Sequence, residues 1–233
     1  MKLTIWNWIV YRIANDGIAL LARFFFPLKI VGREVIPKEG GLLIVSNHIS
    51  GFDPPLIHSS VPRRTHTMAK GKLFDNKFLK WFMVTVGTIA VDRVQFRKAI
   101  MSAVSLLQEG HCVLIFPEGT RGKDGILKKG DWGAVAIALR SNCTIVPATI
   151  VGSNKIFPPG SKFIKRLPIE IRFGKPYRIP HASNGKHVPS EVLMQETMIL
   201  MEKIEALLPV HMRPSVEQKK EWYKIPAAGN VHN

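Results

Sequence analysis

Short apolar runs alternate with helix-length segments through most of this chain, and that alternation most narrows the folds open to it. Strand candidates are 41–46, 65–69, 87–92, 112–116, 144–151 and 168–173. Helix candidates are 54–60, 76–84, 95–109, 131–140 and 190–208. The pattern predicts an α/β fold with a mixed, largely parallel sheet flanked by helices. Ile100, Val104 and Leu107 share one side of the segment 95–109, and Gly110 follows as a helix-stop signal. Asp131 is placed to cap the helix after Gly130. With 233 residues there is room for one core and too little for two. Hydrophobic residues make up 46%, a globular proportion.

Two of the apolar runs end in polar residues suited to chemistry. Gly41–Ser46 leads into Asn47-His48-Ile49-Ser50-Gly51-Phe52-Asp53-Pro54. Neutral imidazole accepts protons well near pH 7. A carboxylate beside it can hold one ring tautomer and stabilise the imidazolium. His48 and Asp53 therefore read as a general base and its orienting partner, with Gly51 allowing a tight turn between them. The plainer alternative is that Asp53 only caps the helix starting at Pro54 and His48 is an ordinary loop residue.

Cys112–Phe116 leads into Pro117-Glu118-Gly119-Thr120-Arg121-Gly122. Two glycines and a proline make a tight loop whose backbone can approach a ligand. Arg121 carries a fork of donors matched to phosphate oxygens. Glu118 can accept hydrogen bonds from substrate hydroxyls. Alternatively, Glu118 and Arg121 form an ion pair on a surface turn. The run 87–92 ends beside Arg93, and Lys70 and Lys72 flank Gly71.

Together these blocks resemble the glycerolipid acyltransferase family, specifically the bacterial 1-acylglycerol-3-phosphate acyltransferases. N-H-x4-D is matched by Asn47, His48 and Asp53. Gly87, Ile89 and Arg93 match a second block, Phe116–Arg121 a third, F-P-E-G-T-R, and Val146-Pro147-Ala148 a fourth. Gly122 stands where many members have serine. The resemblance spans roughly residues 33 to 180 and implies a catalytic dyad of His48 and Asp53. It also implies glycerol-phosphate binding by Arg93, Glu118, Gly119, Thr120 and Arg121, with Lys70 as a further phosphate contact and Pro147 as a structural proline. The activity implied is acyl transfer from acyl-CoA or acyl carrier protein to the sn-2 hydroxyl of lysophosphatidate, giving phosphatidate. Neither metal nor cofactor is implied, because a thioester is already activated. Backbone N–H groups near His48 are expected to form the oxyanion hole. Cys112 and Cys143 read as structural.

Other acceptors remain open within the same family: another lysophospholipid, glycerol 3-phosphate or a lyso-aminolipid. From a different class, a non-catalytic membrane-bound interaction protein would also be basic. The chain has 33 Lys and Arg against 17 Asp and Glu, a net charge of +16. Such a charge attracts anionic lipid, CoA phosphates or acidic carrier protein. Nothing resembling a nucleic-acid-binding motif accompanies it. Two cysteines 31 positions apart suggest no disulfide framework and fit a reducing interior.

Residues 1–32 read as a separate helical segment for membrane association. Trp6, Trp8, Phe24, Phe25 and Phe26 stand out, while Arg12, Asp16 and Arg23 interrupt the run. At helical spacing those three charges share an arc of about 40°. No uncharged stretch is long enough to suggest a simple spanning helix, and no signal-cleavage pattern appears. Helices lying in one leaflet fit this pattern; so does a helix buried against the domain. The expected layout is this segment, an acyltransferase domain at 33–210 and a basic tail at 211–233. The expected location is the cytoplasmic face of the cell membrane, peripheral or monotopic. The linker 152–167, with Lys162, Lys165 and Arg166, lies over the membrane, over CoA phosphates, or free in solvent. Met194, Met198 and Met201 line an acyl tunnel or are plain core.

Overall fold

The computed structural model describes residues 13, 16–17, 19–70, 75, 88–91, 96–122, 124–158, 160–180 and 188–222. Among these residues one sheet contains β1 (Leu28–Val31), β2 (Leu42–Ser46), β3 (Thr65–Lys70), β4 (Ile89–Val91), β5 (Cys112–Ile115), β6 (Thr144–Val151) and β7 (Ile169–Phe173). Their spatial order is β1-β7-β6-β2-β5-β3-β4. Strands β2 to β6 all run the same way; β7 is antiparallel to β6, and β1 is parallel to β7. The mixed, largely parallel sheet expected from the sequence is therefore present. Every residue of β2 is buried, as befits a central strand covered on both faces.

The helices are α1 (Asp53–Ser60), α2 (Phe96–Gln108), α3 (Gly133–Ser141), α4 (Ser153–Ile156), α5 (Ser190–Leu207) and α6 (Val216–Trp222). Ile100, Val104 and Leu107 form the buried side of α2, which packs on α3. Gly110 follows α2 with φ +85°, and its N–H reaches the Leu107 carbonyl at 3.0 Å. Asp131 does not cap α3. The N-cap is Trp132, with no side-chain cap bond, and the Asp131 N–H instead donates to the Pro117 carbonyl at 2.8 Å. The helix expected at 76–84 lies outside the described residues. Met201 is buried, and with Met198 it lines a cleft of about 320 Å³ shared with Leu127, Val216 and Trp222. Along the tail, α6 is tied to α5 by Lys219 and Glu205, 3.0 Å apart.

β1 departs from the sequence expectation. The helical segment expected at 1–32 includes Leu28–Val31, yet these residues pair as a strand with β7 from Leu28↔Ile169 to Val31↔Arg172. Its half-buried residues alternate with exposed ones, the period of an edge strand. Just before it, residues 19–25 are helical. Ala22 is buried and Phe26 packs on the core, while Leu20, Leu21, Phe24 and Phe25 are all more than half exposed. No helix among the described residues is long and apolar enough to cross a membrane.

Sheet polarity positions everything that follows. The carboxyl ends of β2, β5 and β6 lie at one end of the sheet. Because β1 and β7 run the other way, their amino ends lie there too. Crevices at the carboxyl ends of parallel strands are where open α/β sheets bind ligands.

Candidate active site

Asn47 is the first residue beyond β2 and is buried. Its side-chain amide donates to the Ile150 carbonyl at 3.0 Å, and its side-chain oxygen accepts the Ile150 N–H at 2.8 Å. The side chain thus imitates a peptide group and clamps the end of β2 to β6. His48 emerges from that fixed point. Its ring stacks on Phe116, with centroids 4.2 Å apart and planes at 24°.

Asp53 is fully buried and turns its carboxylate back toward this loop. Oδ2 lies 2.9 Å from His48 Nδ1 and accepts the N–H groups of Ile49 and Ser50, both at 2.7 Å. Oδ1 accepts the Ser153 hydroxyl at 2.5 Å. The capping alternative fails here: the N-cap of α1 is Phe52, and it makes no side-chain cap bond. A carboxylate at Nδ1 selects the tautomer with the proton on Nδ1. The Nε2 lone pair is then left for another proton. The His48 side chain is 18% exposed, so the imidazole is not sealed from solvent.

Glu118 lies beneath the same loop. One oxygen accepts the His48 N–H at 2.8 Å and the other the Lys128 N–H at 3.2 Å. It is buried rather than paired on the surface with Arg121. Burial pushes its carboxyl up to about 7, although the two amide donors and the Lys128 ammonium pull the other way. The N–H groups of His48, Ile49 and Ser50 are thus all committed to carboxylates. Those three amides therefore hold the loop in shape, and an oxyanion hole near His48 would draw on other backbone N–H groups.

Gly119 has φ +63°, a backbone conformation that favours glycine. Its N–H closes a turn on the Phe116 carbonyl at 3.2 Å. Thr120 and Arg121 follow, both exposed. The guanidinium of Arg121 lies against Gly51, with Nη1 3.6 Å from where a Cβ would stand. Gly51 has no positive φ, and a Cβ there would meet that cation only at ordinary van der Waals distance. Gly122 donates its backbone N–H to the His48 carbonyl at 2.8 Å. A serine hydroxyl is not needed for that tie.

A family model for acyltransferases matches residues 27–151. The chain belongs to the acyltransferase family. A 1-acyl-sn-glycerol-3-phosphate acyltransferase of Bacillus subtilis is 29% identical over 85% of this chain and 96% of its own length. An enzyme of the same name from Borreliella burgdorferi is 30% identical over 61% of this chain and 58% of its own. The fold matches the crystal structure of the 1-acyl-sn-glycerophosphate (LPA) acyltransferase PlsC from Thermotoga maritima. That match has a TM-score of 0.69 and 22% identity, covering 86% of this chain and 80% of the other.

In this acyltransferase Lys70 ends β3, at the same end of the sheet as His48. Arg93 and Lys72 lie outside the described residues. Pro147 is buried in β6, at a break in the pairing with β7. The ladder starts at Ala148↔Phe173, and an isolated bridge joins Ile145 to Tyr177. A residue without an N–H is tolerated at such a break. Cys112 and Cys143 are buried, and burial pushes the Cys112 thiol up to about 12.

Ser153 is the member of the cluster absent from the sequence reading. It follows Gly152, whose φ is +89°; a Cβ there would lie 2.3 Å from the Pro168 carbonyl. That turn drives the fully buried Ser153 toward Asp53, 100 residues earlier in the chain. The glycine before a serine at the end of the 144–151 run was the available signal. Its partner was not legible without the sheet order.

Proposed function

We propose that this acyltransferase transfers a fatty acyl group from a thioester, acyl-CoA or acyl carrier protein, to the sn-2 hydroxyl of 1-acyl-sn-glycerol-3-phosphate, giving phosphatidate. The observation that carries this reading is the His48–Asp53 pair on a partly exposed imidazole, in a loop whose Gly51 lies against the guanidinium of Arg121. The similarity to 1-acyl-sn-glycerol-3-phosphate acyltransferases supports the choice of acceptor.

His48 Nε2 takes the proton of the acceptor hydroxyl as its oxygen attacks the thioester carbonyl. Asp53 stabilises the imidazolium across the 2.9 Å contact. The C–S bond then breaks, and the departing sulfur receives the proton from Nε2 and leaves as a free thiol. No protein nucleophile is required. Arg121 holds the phosphate, with Lys70 and Arg93 as further cations, and Gly119 and Thr120 shape the loop against the glycerol. Holding the lysolipid hydroxyl against Nε2 is the largest benefit such a clamp brings. Glu118 acts through the loop, since it is buried beneath it and holds the His48 and Lys128 amides. The enzyme works at a membrane surface, where its lipid acceptor resides.

The test is radiolabelled acyl-CoA with lysophosphatidate in mixed micelles, repeated with acyl carrier protein as donor carrier. Labelled phosphatidate from the wild type is the expected result; no product with either donor would overturn the reading. Arg121→Ala is expected to raise KM for lysophosphatidate about tenfold or more, the worth of a charge-assisted bond. KM for the acyl donor should hardly move. Equal changes in both would argue against phosphate binding.

Glu118 predicts a pH signature. Its ionised form offers acceptors to both amides, and its carboxyl titrates at about 7. Protonation replaces an acceptor with a hydroxyl where an N–H already points. Acid should therefore loosen the hold on the loop, and kcat/KM should carry a downward step as pH falls through about 7. Glu118→Gln should be less active and lose that step. A pH profile unchanged by Glu118→Gln would remove Glu118 from the pH dependence.

A further inference from the structure

The segment between β6 and β7 has a feature that the acyl-transfer chemistry leaves unused. Lys162, Phe163, Ile164, Lys165 and Arg166 are five consecutive exposed residues. Phe163 is 79% exposed and Ile164 56%. This tip is structured. Ser161 donates its hydroxyl to the Phe163 carbonyl at 2.8 Å, and the Lys165 N–H reaches the Ile156 carbonyl at 2.7 Å. On either side of it, Ile156 and Leu167 pack into the core. The exposed aromatic and aliphatic side chains are thus presented outward by a tied loop.

Its neighbours give the tip a direction. The Ile169 N–H bonds to the Pro27 carbonyl at 3.1 Å, so the chains entering β7 and β1 run side by side. Phe24 and Phe25, 73% and 52% exposed, lie just before Pro27. The same segment begins at Ser153, on Asp53, and Phe157 sets its ring edge-to-face against Phe52 with centroids 6.3 Å apart. Two exposed apolar elements and the dyad therefore share one end of the sheet. Charge along these two segments is of one sign. Arg23, Lys155, Lys162, Lys165 and Arg166 are exposed, and the sequence has no Asp or Glu from 17 to 33 or from 132 to 169. Apolar side chains interspersed with lysine and arginine suit the headgroup region of an anionic bilayer, where the rings enter and the cations meet phosphates.

We propose that Lys162–Arg166 is a membrane-docking loop that inserts Phe163 and Ile164 into an anionic phospholipid leaflet beside the helix at 19–25. Docking at both points turns the crevice of His48 and Asp53 toward the lipid. The proposal extends the reading of this protein as an enzyme on a lipid acceptor, but its first test does not depend on turnover.

Ile164→Cys in the full chain is labelled with an environment-sensitive nitrobenzoxadiazole fluorophore. Cys112 and Cys143 are buried, and Glu109→Cys, exposed at the opposite end of the sheet, is the control. On phosphatidylcholine vesicles with about one third phosphatidylglycerol, a usual way to mimic an anionic leaflet, the label at 164 should shift to the blue. It should also be quenched by spin-labelled acyl chains, whereas the label at 109 should not. Vesicle-bound protein with an aqueous signal at 164 overturns the proposal. So does a failure to bind these vesicles, or a label at 164 that responds only to added acyl carrier protein. Lys162→Gln/Lys165→Gln/Arg166→Gln should weaken partitioning at least about tenfold, with the loss shrinking at high salt. Phe163→Ser/Ile164→Ser should keep turnover of a dispersed short-chain lysophosphatidate and lose it on vesicles. Equal turnover of both substrates by that variant would also count against docking. A wild type inactive on every acceptor would overturn the acyltransferase reading alone and leave the fluorescence result standing.

Discussion

His48→Ala is expected to lower kcat about a thousandfold, measured as phosphatidate formed per enzyme, with the fold retained. The magnitude follows from removing a positioned general base. The retained fold follows from the contacts that remain. Without the imidazole, Asp53 still accepts the Ile49 and Ser50 amides and the Ser153 hydroxyl. Glu118 still holds the backbone N–H of residue 48. The lost contacts are one hydrogen bond and a stack on Phe116, worth about 1 kcal/mol each. A variant with near-normal turnover would sink the mechanism. A variant that is inactive because it has unfolded would be recognised by circular dichroism and would not count in its favour.

Asp53→Asn should reduce kcat by two to four orders of magnitude, about the range of general-base catalysis, while costing little stability. The two carboxylate oxygens have unequal company. Three donors converge on Oδ2, but Oδ1 faces only the Ser153 hydroxyl. An asparagine can keep its carbonyl in the Oδ2 position and point its amino group at Ser153, whose oxygen can accept as well as donate. The loop would keep its shape and lose the negative charge opposite the imidazolium. Asp53→Ala is the contrasting control. It strands two buried amide donors and should cost about 3 kcal/mol or more. If Asp53→Asn were as unstable as Asp53→Ala, Asp53 would be a scaffold residue. If it were as active as the wild type, the charge would be irrelevant to catalysis.

The strand order could not be read from the sequence, but the ends of the strands could. Gly41–Ser46 and Cys112–Phe116 marked themselves by apolar runs that stop abruptly, and both carry site residues. β1 escaped because its four residues follow a helix-compatible aromatic run and alternate only weakly. Asp53 and Asp131 both looked like helix caps, since an acid before a helix start is the commonest local signal. The Asp53 side chain turns back on the loop before it and on Ser153, and the Asp131 N–H bonds to Pro117. Glu118 was legible as important and not as a strut, because the amides it holds lie 70 residues earlier and 10 later. Ser153 carried no motif at all.

The ties that assemble the crevice have an implication for how the chain folds. Asn47 to Ile150, His48 to Glu118 and Asp53 to Ser153 span 103, 70 and 100 residues. Closing contacts of such separation costs loop entropy that local helices do not incur. The contacts of Asp53 with His48, Ile49 and Ser50 are local, but the finished crevice also needs these distant ties. It comes into register only when β5 and β6 have both docked on β2, so a nascent chain acquires competence late, after its central strands are in place.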